Sequence, residues 1–239
     1  MRYAVVGASR GTGSQIVHQL QAQGHQVRAI SRTPITAGPL IEPFAADVTN
    51  AGSMRAALDA DFEAIFFTVD VTGGVGGRGF FGSAKHIREV TYQGCLNTMA
   101  AVPRSYPKPK FILLSVMGAD RTSVVWTVLN AIKPGLKRNM IERERALAES
   151  QIPFVTLRAP TLTDERGGQI PTSVTEAKHV LDAKRKITRA DLAQAMITAA
   201  RGAPVNSTWD VFADVSGSAP AWFEQGSAEA IPALRKPSI

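Results

Sequence analysis

Seven residues near the amino terminus hold the densest chemical signal in the chain: Gly7-Ala8-Ser9-Arg10-Gly11-Thr12-Gly13. Glycine admits positive φ and lets main chain come close to a bound group. Gly7 suits a tight turn, Gly11 leaves room for backbone to approach a pyrophosphate, and Gly13 lets a helix pack close to a strand. Ser9 and Thr12 add hydroxyl donors. A helix opening here would present unpaired N–H groups and partial positive charge, which is the chemistry that holds a phosphate. A second signal is Ser31-Arg32. A site for NAD usually has an acidic residue at this point, to accept from the ribose 2′-hydroxyl. Arg32, with Arg10 inside the turn, favours a 2′-phosphate through charge-assisted, forked hydrogen bonds. Together the two segments predict a dinucleotide site for NADP(H).

The elements needed to position these residues are legible around them. Arg2 to Val6 is a short apolar run that reads as a buried strand. Ser14 to Gln23 is helical in pattern, and His25 to Ile30 reads as a second strand. A glycine triplet carries weight only between a strand and a helix, and that context is met. Strand and helix patterns then alternate, which predicts a parallel sheet covered on both faces. Residues 40–46 read as a weak strand, Ala51 to Ala60 as a helix capped by Asn50, and Glu63 to Val69 as a strand. Lys85 to Val102 reads as one long helix, Lys110 to Ser115 as a strand, and Ser123 to Ile132 and Leu136 to Ser150 as helices broken by Pro134-Gly135. Phe154 to Arg158 and Trp209 to Ala213 complete the strands, and Thr188 to Arg201 is a helix capped by Thr188. The expected fold is α/β, a Rossmann-type doubly wound parallel sheet in a single domain over residues 1–213. An irregular tail, 214–239, follows. Ligands of such sheets bind at the carboxyl ends of the strands. Gly7–Gly13, Arg32, Asp47, Thr68-Val69, Ser115 and Arg158–Thr161 therefore fall along one rim. Residues 70–83, with glycine at 73, 74, 76, 77, 79 and 82, are placed to form a lid over it.

Bulk properties exclude other classes. The chain has 239 residues, enough for one α/β domain with a sizeable core. No apolar run is long enough to span a bilayer, and the first residues form a core strand rather than a signal sequence. The single cysteine, Cys95, leaves no internal disulfide framework and fits a reducing cytoplasm. The net charge is +7, with basic groups at Lys133, Lys137, Arg138, Arg143 and Arg145 and again at Lys184, Arg185, Lys186 and Arg189. Without aromatic interleaving or a reading motif these are mostly solvated faces, with some drawn to an anionic cofactor or substrate, rather than a nucleic-acid surface. His18, His25, His86 and His179 have no metal-ligand spacing, and no Gly-x-Ser-x-Gly nucleophile turn occurs. The sequence sets no oligomeric state.

The order of segments VVGASRGTG, SR after strand two, AADV, FFTV, VTYQGCLNTMAA, FILLSVMGAD, RERALAESQIPFVTLRAPTL and ITRADLAQAM resembles the short-chain dehydrogenase/reductase superfamily, in its atypical NAD(P)-binding branch. Within that branch it is similar to the NmrA-like proteins and to the biliverdin reductase B/flavin reductase group. The resemblance implies that Gly7, Ser9, Arg10, Thr12 and Gly13 line the pyrophosphate and ribose, and that Arg32 takes the 2′-phosphate. It implies that Asp47-Val48 hold adenine and that Thr68-Val69 pass the cofactor by backbone. Pro160-Thr161-Leu162 would hold the nicotinamide amide, and Ser115 matches the catalytic-strand serine.

One departure narrows the chemistry. The main branch uses Tyr-x-x-x-Lys, in which lysine lowers the tyrosine pKa so that the phenol exchanges a proton with substrate. Of Tyr3, Tyr92 and Tyr106, only Tyr106 has a lysine four residues on, and the prolines of YPKPK exclude a helix there. The expected slots hold Leu136 and Met140. Two readings follow. One is hydride transfer to a flat, conjugated small molecule (flavin, quinone or linear tetrapyrrole) that delocalises the incoming charge. The other is an NmrA-like sensor that binds NADP(H) and alters a partner. Met117 and Trp126 lie near the expected pocket mouth, either to stack on a flat ring or to pack in the core. Asp120, Arg121, Lys133 and Lys137 are polar groups near the same mouth.

Overall fold

A computed structural model describes residues 1–70, 83–104 and 107–229. The lid reading of 70–83 and the Tyr106 side chain fall largely or wholly outside the described residues. The strands are β1 (Arg2–Val6), β2 (Gln26–Ser31), β3 (Ile41–Ala45), β4 (Ala64–Phe67), β5 (Lys110–Val116), β6 (Phe154–Ala159), β7 (Thr161–Thr163), β8 (Thr172–Glu176), β9 (Lys186–Thr188) and β10 (Ser207–Ala213). The helices are α1 (Gly11–Ala22), α2 (Ala51–Ala57), α3 (Ala84–Arg88), α4 (Gly94–Ala100), α5 (Val124–Ile132), α6 (Leu136–Glu149), α7 (Arg189–Gly202) and α8 (Ala221–Glu229).

Eight strands form one sheet in the order β3-β2-β1-β4-β5-β6-β10-β8. All neighbours are parallel except the edge pair β10–β8. This is the doubly wound Rossmann-type arrangement, with its reversal point between β1 and β4. Side-chain alternation sorts the core into two layers. Tyr3 and Val5 face α1 and α7, packing with Ile16, Leu20, Leu192 and Met196. Ala4 and Val6 face the other way, with Met54, Cys95, Met99 and Leu147 from α2, α4 and α6.

Local signals explain most boundaries. Asn50 accepts from Ser53 N–H at 3.0 Å and opens α2. Thr188 accepts from Asp191 N–H at 3.0 Å and opens α7. The segment expected to be one long helix is helical throughout, with α3 and α4 running on through a π-helical turn, Glu89–Gln93. Gly94 follows that turn, and a Cβ there would lie 2.6 Å from Val48 Cγ2, so close approach to the rim is what the glycine permits. β7, β8 and β9 were not legible because each is three to five residues long, without an apolar run. Within the segment expected to be irregular, α8 packs Phe223, 8% exposed, against the α1–α7 layer.

Candidate functional site

The carboxyl ends of β1, β2, β4, β5 and β6 open onto one cleft of about 870 Å³. Its lining includes Gly7, Ser9–Thr12, Arg32, Asp47-Val48, Thr68-Val69, Ser115 and Pro160–Leu162. The rim expected from alternation alone is thus drawn together around a single space. Gly13 is not on its surface but is built into its wall: a Cβ there would sit 2.1 Å from the Gly7 carbonyl oxygen.

The turn after β1 is shaped for an anion. Gly7 has φ +96° and Gly11 φ +58°, and Gly7 and Ala8 N–H both donate to the Ile30 carbonyl. Arg10, extended at the helix entry, gives α1 no side-chain cap, and the first turn has no acid. The first N–H groups of α1 and its dipole are therefore left to whatever enters the cleft. Thr12 points the same way: it is 5% exposed, lines the cleft, and its Oγ1 is buried with no partner. A buried hydroxyl without a partner costs energy unless a ligand or water satisfies it. These observations fit a dinucleotide diphosphate.

Other side chains frame the cleft. Thr68 Oγ1 donates to the Val6 carbonyl at 3.0 Å, tying β4 to β1. Asp47 Oδ1 accepts from Thr49 N–H and Oγ1–H, which fixes the chain at the end of β3 and leaves Val48 beside it as an apolar contact. Arg158, on β6, pairs with Glu144 at 2.7 Å and Asp120 at 3.0 Å. Burial opposes its charge, but these two carboxylates outweigh burial and raise its pKa. The pairs anchor Pro160–Leu162 and use Asp120 for structure. Lys137 Nζ donates to the Arg121 carbonyl, while Lys133 lines the cleft 3.9 Å from Asp70.

Three expectations are corrected here. Met117 and Trp126 do not reach the cleft. Both are buried in a separate cluster with Ala119, Leu136 and Leu181, and Trp126 Nε1–H donates to the Met117 carbonyl at 3.0 Å. The helix that carries Trp126, α5, contributes Val125 and Leu129 to the cleft instead. Arg143 is not a solvated residue: it is 2% exposed and lines the cleft. Its place was readable, since Leu136, Met140, Arg143 and Leu147 recur at helical spacing on the buried face, whose other members are apolar apart from Asn139. Arg189, read among the same basic residues, also lines the cleft. It pairs with Asp164 at 2.8 Å and lies across the entry of α1, with its Nε 3.4 Å from where a Gly11 Cβ would be. Leu136 lines the cleft and Met140 is buried beneath it, so the slots expected to hold a phenol and an ammonium are apolar. Among the described residues no tyrosine lines the cleft.

Comparison with known proteins agrees with this geometry. The model of a family described as NAD(P)H-binding matches residues 7–202. No curated protein matches the chain. Among solved structures, the oxidoreductase YlbE of Lactococcus lactis superposes with a TM-score of 0.73 at 16% identity, over 96% of each chain. ChuY of Escherichia coli, titled an anaerobillin reductase, gives 0.64 at 17% identity over 88% of this chain and 96% of its own. The Bordetella bronchiseptica enzyme WbmF, solved with NAD⁺, gives 0.65 at 13% identity over 91% of this chain and 76% of its own. At such identities the likeness is one of fold. The family match covers most of the chain, including the glycine turn and the rim, and the chain belongs to the NAD(P)H-binding family.

Proposed function

We propose that the protein is an NADP(H)-dependent oxidoreductase that passes hydride to a flat, conjugated acceptor such as a flavin, quinone or linear tetrapyrrole. One observation carries the reading: a single cleft has Arg10 and Arg32 at one end and, at the other, Leu136 over Met140 where a phenol–ammonium pair would stand. When bound, NADPH supplies hydride at its nicotinamide ring. The chain's own part is to bind and orient. The α1 entry, Ser9 and Thr12 hold the diphosphate, and Arg10 and Arg32 pair with the 2′-phosphate. Val48 covers the adenine, Thr68-Val69 pass the cofactor by backbone, and Pro160–Leu162 fix the carboxamide. Ser115 orients the acceptor. With no tyrosine among the described residues of the cleft, the proton comes from water, which suits acceptors that delocalise charge. The likeness to ChuY, titled an anaerobillin reductase, supports this reading. A single cysteine, buried, supports a reducing compartment such as the cytoplasm.

The test is NADPH oxidation against a panel of flavins, quinones and tetrapyrroles, with NADPH affinity measured in parallel. Turnover of at least one acceptor well above background is expected. Arg32→Glu should weaken NADPH by about tenfold or more, the worth of one charge-assisted contact, and leave NADH nearly unchanged. Tight NADPH binding without any turnover sinks the enzyme reading. The apolar Leu136–Met140 wall then favours the other one, a sensor whose partner binds the NADPH and NADP⁺ forms differently.

A further inference from the structure

Arg143 is a buried cation that no counter-charge pairs with among the described residues. Of its nitrogens, Nη2 donates to the Leu114 carbonyl at 2.6 Å, while Nε and Nη1 are buried with no partner. Among the described residues no carboxylate pairs with it. The nearby acids on its own helix are committed elsewhere, Glu142 to Arg88 and Arg138 and Glu144 to Arg158. The titratable group in its field is Cys95, whose thiol burial pushes up to about 12 although Arg143 pulls the other way. At neutral pH that thiol is uncharged and neutralises nothing. Burying a guanidinium with two of its nitrogens unpartnered and no carboxylate beside it is costly, so the site stands ready for negative charge from outside the chain.

That charge would arrive at the inner end of the cleft. Arg143 and Ser115 both line it, and Ser115 Oγ is also buried without a partner. They lie on one side of the sheet: Phe111 and Leu113 pack with Leu147 of α6, strand alternation puts Ser115 on that same face, and Arg143 is one turn before Leu147. We propose that Arg143 and Ser115 form an anion-stabilising site at this end, so that the acceptor is a conjugated carbonyl compound whose oxygen takes up the transferred charge. The proposal rests on the reductase reading above and narrows its substrate class. The acceptor gains two electrons and one hydrogen as hydride; the C=C or ring π bond breaks, a C–H bond forms, and NADPH is oxidised to NADP⁺. The carbonyl oxygen becomes an oxyanion beside Ser115 and above the guanidinium, in surroundings that screen charge poorly. Water then gives the proton and leaves hydroxide.

The test uses 4-nitrophenol, whose phenolate is read by its absorbance, bound to the full chain with and without NADP⁺. In the wild type the bound phenol should ionise at least one pH unit below the free compound. Arg143→Met should abolish that shift, Arg143→Lys should restore part of it, and Ser115→Ala should reduce it. NADPH affinity, measured by its fluorescence, should stay near the wild-type value in all three. Turnover of a quinone by Arg143→Met should fall about 10²- to 10³-fold, the usual loss when an oxyanion contact is removed. Arg143→Met should also melt at or above the wild-type temperature, since it removes an unpaired buried charge. An unshifted wild-type phenol, no detectable phenol binding, or a Met variant that melts lower while keeping its turnover overturns the site. Loss of NADPH binding by the wild type would instead overturn the reductase reading, and the nucleotide-free phenol shift would still decide the anion site.

Discussion

A single side chain is set by the partners that reach it or by competing demands on it. Glu42 shows the first case. It accepts from Arg28 at 2.7 Å and Arg2 at 2.6 Å, and Arg28 is itself buried, with its guanidinium over Phe44 and Phe62. The hydrogen bond from Arg28 holds the Glu42 carboxyl below the usual carboxylate range; burial opposes this, and Arg2 adds to it. A depressed pKa in the folded state contributes stability above the ordinary glutamate range, which is lost as pH falls through the folded value. Glu42 is half exposed, so solvent screens the pair. Glu42→Gln should cost about 0.5–1 kcal/mol at neutral pH. Urea titrations across the acid range should show the gap between variant and wild type closing as Glu42 protonates; a gap that widens would refute the assignment. Arg143 shows the second case. Composition says surface, while its helical stripe says core, and only the folded chain decides. Met117 and Trp126 misled in reverse: polarisable side chains suited to a flat ring are equally suited to a core, and the indole N–H found the Met117 carbonyl.

Elements were legible where the sequence carries both a period and a stop. The glycine turn, the caps at Asn50 and Thr188, and the apolar strands β1, β4 and β5 meet that condition. β8 and β9 do not, because short strands made by pairing leave little trace in residue order. The π turn at Glu89–Gln93 was likewise hidden, since its extra residue keeps apolar side chains on nearly the same face while shifting Gly94 against Val48. The cap of α7 bears on the site as well as on the fold. Thr188 accepts from Asp191 N–H and donates to its carboxylate at 2.8 Å, and the next residue is Arg189, beside the α1 entry. Thr188→Ala should cost about 1 kcal/mol, the usual worth of an N-cap. It should also weaken NADPH several-fold, while Thr188→Ser keeps both. Unchanged affinity with lowered stability would show that Arg189 does not depend on the cap for its position.

At the scale of the molecule, one cleft gathers the ends of five strands, so cofactor binding is coupled to the stability of the whole sheet rather than of one loop. The site was legible at this scale because a doubly wound sheet has a single reversal point, where the glycine turn, Arg32 and Ser115 must converge. The acceptor end was not, because its wall comes from α5, α6 and the segment carrying Leu181, which periodicity does not orient. A ligand that binds only the folded chain raises stability by about 2.7 kcal/mol at a hundred times its dissociation constant. For a domain of this size that is a rise in melting temperature of about 5–10 °C. NADPH should produce such a rise at concentrations where NADH produces little, and Arg32→Glu should reduce the NADPH rise to that of NADH. Salt should erode the NADPH rise more than the NADH rise, because the extra phosphate meets guanidiniums at the exposed end of the cleft, where screening acts. Equal rises with both nucleotides at low salt would remove the 2′-phosphate assignment while leaving the dinucleotide site in place. On the proposed reading the first N–H groups of α1 and Thr12 Oγ1 would serve either cofactor, whereas Arg10 and Arg32 would serve only one.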